Sequence, residues 1–434
     1  MKRFIQQTLK LWQDNPLYSG IVVLATALII TFCMMLYMVY ALQTNDLAPE
    51  NNRSRILRST SGYSWNDRLQ ADYNTGMSSV VAKAIFENLD GVEEVSYTTN
   101  YRMSGNSVHA GTSRDNSYSR TYMRVDDAYF RIYNYRFVAG APFTKEQSEA
   151  NRMEVIITDK LANALYGTTD VVGKTINIAR EENKIVGVVK SVSSIFPNSY
   201  SEIWRTFDPS DFDWHDRAKD LRGGIMVTLL LKKGYPKAEV ARQVAERVEA
   251  YNANRLDDYV FSVGVEDIDK IQIEVGSDVR NYWKGTVRKF NGGILIAVLI
   301  AIILLIPAVN MAGIHSSQIE KRIAEVGVRK SYGASSRRIM WQFFNENLML
   351  TLVGGLLGLL FSFIAIQALK DRLLATSINF FATADDFTIP WKFFFSPQLF
   401  VVLLVFCLLV NTLSAIIPIW RAMRTPIVET LKSV

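Results

Sequence analysis

Leu17-Tyr-Ser-Gly-Ile-Val-Val-Leu-Ala-Thr-Ala-Leu-Ile-Ile-Thr-Phe-Cys-Met-Met-Leu-Tyr-Met-Val-Tyr-Ala-Leu42 contains no Asp, Glu, Lys or Arg. A hydrocarbon core about 30 Å thick needs roughly 20 such residues in a helix, so this stretch predicts a membrane span. Three more runs of the same kind follow, within Gly292–Ile314, Leu348–Leu369 and Leu399–Trp420. A core helix of a soluble protein seldom stays free of charge for so long. Whole-chain averages conceal the pattern: mean hydropathy is +0.08 and 21% of residues are charged, because apolar segments are averaged with one long polar one. The first run follows Lys2, Arg3 and Lys10, as a signal peptide would. It exceeds the roughly 7–15 residues of a signal h-region, and no small-x-small cleavage motif follows before Gln43. It reads as an uncleaved anchor.

Orientation follows from Lys and Arg near the membrane ends. The amino-terminal tail carries Lys2, Arg3 and Lys10. The loop between the second and third runs carries Lys321, Arg322, Arg329, Lys330, Arg337 and Arg338 against Glu320, Glu325 and Glu346. The carboxy-terminal tail carries Arg421, Arg424 and Lys432 against Glu429. These three segments share a side, and their bias makes it the cytoplasm. The long stretch from Gln43 to Phe290 and the short loop Lys370–Ser396 then lie outside. The basic pI needs no nucleic acid, since membrane-edge cations supply the excess.

The long outer stretch is large enough for a core of its own. Met77–Leu89 carries Val80, Val81, Ala84, Ile85 and Leu89 at helical spacing; Gly91 ends it, and Val92–Thr99 reads as a strand. A similar unit comes late: a strand in Gly224–Lys232, a helix over Pro236–Tyr251 with Pro in its first turn, and a strand in Tyr259–Val265. Two strand–helix–strand units suggest one α/β sheet assembled from both ends of the domain. Between them Glu154–Thr158, Thr175–Ile178 and Lys184–Val189 are strand-like and imply an inserted second lobe. Arg53–Asn74 and Tyr101–Arg120, rich in Ser, Asn, Tyr and Arg without periodicity, read as loops.

Catalytic constellations are not found. Gly167-Thr-Thr-Asp-Val-Val-Gly173-Lys174-Thr175 approaches a phosphate-cradling P-loop, which needs four residues between its glycines and a helix after them. Here five intervene and a strand follows. Cys33 and Cys407 both fall in apolar runs, and His109, His215 and His315 share no ligand spacing. The chain is therefore expected to be a non-catalytic protein that binds no cofactor or metal itself.

Small residues in the runs are spaced for close helix contact: Gly354 with Gly358, and Gly293, Ala297 and Ala301. Contact within one subunit and contact across a dimer both fit this spacing. Asn310 and Asn411 lie at membrane depth and should find protein partners. Phe4, Ile5, Thr8, Leu9 and Trp12 line one face of a short amphipathic helix on the cytoplasmic leaflet.

The most structured loop is Asn310-Met-Ala-Gly-Ile-His-Ser-Ser-Gln-Ile-Glu320-Lys-Arg322-Ile-Ala-Glu325-Val-Gly327-Val-Arg329-Lys330-Ser-Tyr-Gly333-Ala334, running into Ile339-Met-Trp-Gln-Phe-Phe. It reads as a charged helix, a glycine break, a basic turn, a second glycine and an amphipathic approach to the third span. A docking surface and a merely structured interfacial loop fit this composition equally.

On these residues the chain resembles the MacB/FtsX-like family of ABC transporter permeases, the mechanotransmission or type VII group. Asn310, Arg322, Glu325, Gly327, Arg329, Lys330, Gly333 and Ala334 match the family's loop pattern; its Glu-Arg pair becomes Lys321-Arg322, with Glu320 one place early. Asp126–Val189 resembles the family's periplasmic core domain through Tyr129-Phe130, Gly140-x-x-Phe143-Thr144, Val155-Ile156-Ile157, Leu165-Tyr166-Gly167, Val172-Gly173-Lys174-Thr175-Ile176 and Val186-Gly187-Val188-Val189. Pro418-x-x-Arg421-Ala422-x-x-Thr425-Pro426-Ile427-x-x-Leu431 fits its carboxy terminus.

The resemblance implies an α-helical inner-membrane protein of four transmembrane helices, both termini cytoplasmic, with a large two-lobed α/β (α+β) periplasmic domain between helices 1 and 2. The expected division is a cytoplasmic amphipathic helix 1–16, spans 17–42, 291–314, 345–369 and 397–420, and an outer domain 43–290. A porter-like lobe (43–128 and 222–275), an inserted lobe (129–221) and a stalk (276–290) make up that domain. A cytoplasmic coupling loop (315–344), a periplasmic loop (370–396) and a cytoplasmic tail (421–434) complete it. ATP and magnesium would be held by a separate cytoplasmic ATPase docked at Glu320, Arg322, Glu325, Gly327, Arg329, Lys330, Gly333 and Ala334. Gly293, Ala297, Gly354 and Gly358 would pack helices. The further partners implied are a second copy or a paralogous permease, the lipid bilayer, and a periplasmic adaptor with an outer-membrane duct. The function implied is ATP-driven movement of the periplasmic domain for efflux or export; regulation of a cell-wall enzyme and lipoprotein release are the alternatives within the family.

Overall fold

The computed structural model describes residues 16–434 apart from 70, 100–106, 114–116, 194, 195, 197, 214–220, 256, 257, 269–271, 275–288, 292, 293, 295, 296, 303, 304, 306–327, 329–331, 374–394 and 425–434. It divides into two compact units. One comprises Met1–Leu42, Gly293–Leu374 and Thr388–Val434; the other comprises Gln43–Gly292 and Ala375–Phe387.

The first unit is helical. α1 (Pro16–Thr44) carries the first apolar run, and its residues Ile21, Leu24, Leu28 and Phe32 are exposed along one stripe while Val22, Ile29, Ile30, Cys33 and Met34 are buried. An outward apolar stripe on a helix this long suits lipid. Residues 297–302, a part of the second run, are helical. The third run belongs to a longer helix, Ser336–Leu373, and the fourth to the helix Pro397–Arg424. Two helices, α1 and Arg337–Leu369, are long and apolar enough among the described residues to cross a membrane.

The second unit is α/β. Its chain starts with β1 (Ile56–Ser59), β2 (Gly62–Asn66), β3 (Ala71–Met77), α2 (Ser79–Phe86) and β4 (Val92–Thr99). β5 (Ser107–Gly111), β6 (Ser117–Arg124), α3 (Tyr129–Ile132), β7 (Phe137–Gly140), α4 (Lys145–Glu149), β8 (Glu154–Thr158), α5 (Asp159–Tyr166), β9 (Thr175–Ile178), β10 (Glu181–Val189) and β11 (Ile203–Arg205) follow. Then come β12 (Arg222–Gly223), β13 (Ile225–Leu231), α6 (Lys237–Ala253), β14 (Val260–Val263) and β15 (Glu266–Asp267), and the pair β16 (Gln272–Glu274) and β17 (Lys289–Asn291). The first-unit helices Ser336–Leu373 and Pro397–Arg424 are α7 and α8.

Two sheets result. In the first, the order is β14-β2-β3-β13-β1-β15, with β4 on β13 and β12 on β3. Both ends of the insertion contribute, and β13 runs antiparallel to β4 and to β1. All seven residues of β13 are buried because both faces of the sheet are covered. Ile225, Val227, Leu229 and Leu231 pack under α2 and α6, which supply Val81, Ala82, Ile85 and Phe86, and Val240, Val244 and Val248 at i, i+4, i+8. Met226 and Leu230 face the other way, into a cluster with Tyr129, Phe130, Tyr133 and Trp204 of the inserted lobe. Ser78 caps α2, its hydroxyl accepting from the Val81 amide at 3.2 Å.

The second sheet has the order β7-β10-β8-β11-β6-β5-β9. β10 pairs with β9 through Glu181–Lys184 and with β8 through Lys184–Val189, so the order returns on itself. Closure leaves few open edges. Its own core contains Val155, Ile157, Ile176, Ile178, Ile185 and Val188.

Three sequence expectations are corrected here. Arg53–Asn74 is not loop but a 3-10 turn followed by β1, β2 and most of β3, and within Tyr101–Arg120 the residues of β5 and the start of β6 are strands. Consequently the second sheet takes two strands from ahead of residue 129, and the first lobe as expected, 43–128, is split between the sheets. Of the stalk 276–290, Lys289 and Phe290 belong to β17, antiparallel to β16, rather than to a helix; the rest lies outside the described residues. β1 is stabilised by a distant partner, Leu57 lying opposite Leu229, and β2 by its hairpin partner β3, Tyr63 lying opposite Asn74; local composition announces neither.

Candidate coupling site

The helix crossings of the first unit are built on absent side chains. A Cβ on Gly354 would lie 2.7 Å from Thr26 Cβ and 2.8 Å from the Val23 carbonyl oxygen; one on Gly358 would lie 2.8 Å from the Ala27 carbonyl oxygen. The GxxxG pair therefore seats α7 against α1 within one chain. Thr31 Oγ1 donates to the Gly358 carbonyl at 3.1 Å and shares that hydrogen with its own Ala27 carbonyl at 2.8 Å. Asn411 of α8 donates from Nδ2 to Thr351 Oγ1 of α7 at 2.9 Å, both buried. Ala297, expected at a helix contact, is exposed in the single chain; Gly293 and Asn310 lie outside the described residues.

Of the loop residues, Glu320, Arg322, Glu325, Gly327, Arg329 and Lys330 lie outside the described residues, as does the helix expected over 1–16, apart from Pro16, which opens α1. The end of the loop is described. Gly333 has φ +83° with open space around its Cβ position, so glycine serves the backbone there and not a close approach. Ala334 follows, and Ser335 Oγ accepts weakly from Arg338 N at 3.4 Å at the start of α7. Tyr332 is 88% exposed and Trp341 65% exposed, the latter stacked on Phe344 at 5.1 Å, while Ile339 on the opposite side is buried.

A feature that reading the sequence missed lies just beyond α1. Six residues past Thr44, Glu50 is fully buried and ion-paired to Arg53 at 2.7 Å. Ser199 of the inserted lobe donates from Oγ to Glu50 Oε1 at 2.9 Å, and the Arg53 guanidinium lies 5.4 Å from the Phe196 ring centroid. Arg53 also donates to the Asn45 carbonyl at 3.3 Å, and Asp46 accepts from the Ser54 amide and hydroxyl, each at 2.9 Å. The backbone joins in, Asn134 N donating to the Pro49 carbonyl at 2.8 Å. The segment leaving α1 is thus fastened to the inserted lobe by a buried charge pair, whose signature in sequence is only an acid and a base three residues apart.

A second fastening joins the two lobes. Asp126 accepts from Ser96 Oγ at 2.6 Å, from Tyr97 N at 2.7 Å and from Tyr129 N at 3.1 Å, so one carboxyl ties β4 to the start of α3. Burial outweighs the three donors and pushes this carboxyl up to about 7. The Gly167–Thr175 run is a turn: Gly167 caps α5 at φ +72°, Gly173 N donates to the Ile185 carbonyl, and Thr175 opens β9. The amides of Val171, Gly173 and Lys174 each donate to a different backbone carbonyl.

Comparison with known proteins assigns both units. Residues 19–247 match the family description "MacB-like periplasmic core domain", and residues 297–427 match "FtsX-like permease C-terminal". The macrolide export ATP-binding/permease protein MacB 1 of Yersinia pestis bv. Antiqua (strain Antiqua) is 26% identical over 245 residues, covering 55% of this chain and 34% of that one. The uncharacterized ABC transporter permease YknZ of Bacillus subtilis (strain 168) is 24% identical over 275 residues, covering 63% and 62%. The chain thus spans about a third of the length of the MacB relatives. Among solved structures, the periplasmic region of MacB from Actinobacillus actinomycetemcomitans aligns with 12% identity and a TM-score of 0.34, covering 48% of this chain and 89% of that one. The two family matches identify a permease of the FtsX-like type. The chain belongs to the MacB/FtsX-like family.

Proposed function

We propose that this chain is a non-catalytic permease subunit that converts ATP hydrolysis by a separate cytoplasmic ATPase into movement of its outer α/β domain, driving efflux or export of cargo already outside the membrane. The reading has four spans in the inner membrane, both termini in the cytoplasm and the α/β unit in the periplasm. A second copy or a paralogous permease completes a dimer, and a periplasmic adaptor and outer-membrane duct take the cargo onward.

The observation that supports it is the continuity of α1. One helix is held by Gly354, Gly358 and Thr31 to α7, the helix that takes in the last residues of the loop 315–344. Its outward end runs within a few residues into the buried Glu50–Arg53 pair. In this reading displacement of α7 is passed along α1 to the outer segment that follows it.

The test is co-purification with the ATPase, comparing wild type with Glu325→Lys and Gly333→Trp. The expected outcome is loss of ATPase association, or of its coupled activity, in both variants. Wild-type association and coupling in both would defeat the docking assignment. Reporter cysteines introduced near positions 60 and 425 should react from opposite sides of the membrane; reaction from the same side would defeat the topology.

A further inference from the structure

Arg58 sits on the face of β1 that meets the inserted lobe, with Ile56, and is nine-tenths buried. Its side-chain partners among the described residues are neutral: Nη1 donates to the Asn198 side-chain oxygen, and Nη2 faces Met226 Sδ at 3.6 Å. Its Nε–H has no acceptor among the described residues. Glu50, the buried carboxylate whose charge acts on Tyr133 together with that of Arg58, is already matched by Arg53. The cluster therefore holds one positive charge in excess, and an uncompensated buried charge costs several kcal/mol.

Two buried hydroxyls near Arg58 have no hydrogen-bond partner among the described residues. Thr228 is its direct partner across the β1–β13 ladder, and the Thr228 hydroxyl is buried without an acceptor. Beside Thr228 stands the Tyr133 hydroxyl, also buried, on which the Arg58 charge acts. If these two hydroxyls share a hydrogen bond, one of their hydrogens is still unplaced. A guanidinium edge with a spare hydroxyl hydrogen satisfies neither a cation nor an apolar group. It satisfies a small anion, which supplies both the missing charge and the missing acceptor.

We propose that Arg58 Nε, with the Tyr133 and Thr228 hydroxyls, binds a halide-sized monovalent anion between the two lobes of the outer domain. The ion would lock the lobes by neutralising the interface, and the assignment is independent of the transport reading.

The experiment uses the full chain in detergent micelles, with bromide replacing gluconate at constant ionic strength and unfolding followed by tryptophan fluorescence. Bromide should raise the wild-type unfolding midpoint along a saturating curve, as any ligand of the folded state does. Tyr133→Phe and Thr228→Val should each raise the half-saturating bromide concentration about tenfold, the loss of one hydrogen bond to a charge. Arg58→Met should abolish the response; the two milder variants decide the matter if it does not fold. A wild-type midpoint indifferent to bromide, as a bound water would give, overturns the site. So does a bromide response unchanged in the variants.

Discussion

Thr31 Oγ1 donates to the carbonyl of Gly358 at 3.1 Å, joining α1 to α7 at one of the two glycines where their backbones come close. A Cβ at Gly358 meets the Ala27 carbonyl oxygen and Ile30 Cβ inside van der Waals distance, so Gly358→Val must push the helices apart. The expected cost is about 1–3 kcal/mol, with a lower unfolding midpoint for the detergent-solubilised protein. Gly20→Ala, in the same unit with nothing within 4 Å, should leave the midpoint unchanged.

The Asn411–Thr351 bond predicts a coupling measurable by double-mutant cycle. Hydrogen bonds between membrane helices contribute about 0.6 kcal/mol on average and reach about 1.7 kcal/mol. Asn411→Ala and Thr351→Ala should together cost less than the sum of their separate effects by about that amount. Strict additivity in unfolding measurements would show that the bond contributes nothing.

Breaking the Glu50–Arg53 pair should be among the most damaging single changes. Glu50→Gln leaves Arg53 buried beside a neutral amide, at a cost of about 3–5 kcal/mol. Replacing both by apolar residues, Glu50→Leu with Arg53→Met, should recover much of the loss, because neither charge is then stranded. The comparison needs unfolding midpoints for the wild type, single and double variants.

Asp126 gives a pH dependence whose sign follows from its raised carboxyl. Unfolded, the group titrates near 3.8; folded, near 7. Between those values the folded chain holds a proton that the unfolded chain has lost. Its contribution to stability is complete below about pH 4 and is lost as pH rises to 7. Asp126→Asn, which cannot titrate, should remove this slope from the midpoint-against-pH curve and lower the plateau, since its amide nitrogen cannot accept from Tyr97 N.

The legible parts of this chain are those where side-chain periodicity and burial coincide. Val92–Thr99, Glu154–Thr158 and Thr175–Ile178 are strands at the bounds read from sequence, and the helices over 79–86 and 237–253 fall within two or three residues of the expected ones. Gly354 and Gly358 were legible as a contact surface, but their partner was not: spacing says that a backbone comes close, and only the fold says that it is α1. β1 to β3 were missed because their side chains alternate Ser, Asn, Tyr and Arg. In β1 the partner lies far along the chain, where Ser59 is buried against Val227. The Glu50–Arg53 pair escaped for the same reason, since Ser199 and Phe196 complete it from the inserted lobe.

The central strand β13 also sets a timetable for biogenesis. Its neighbours β1 and β4 are made first, and they stay without their partner until residue 231 has been synthesised and delivered to the same side. Such distant pairing slows folding. Meanwhile the inserted lobe, whose ring of strands is complete by residue 205, can close by itself. The unpaired edges and the apolar faces of Ile56 and Leu57 are then open to aggregation, so newly made chain should need a holding chaperone at that stage more than at any later one.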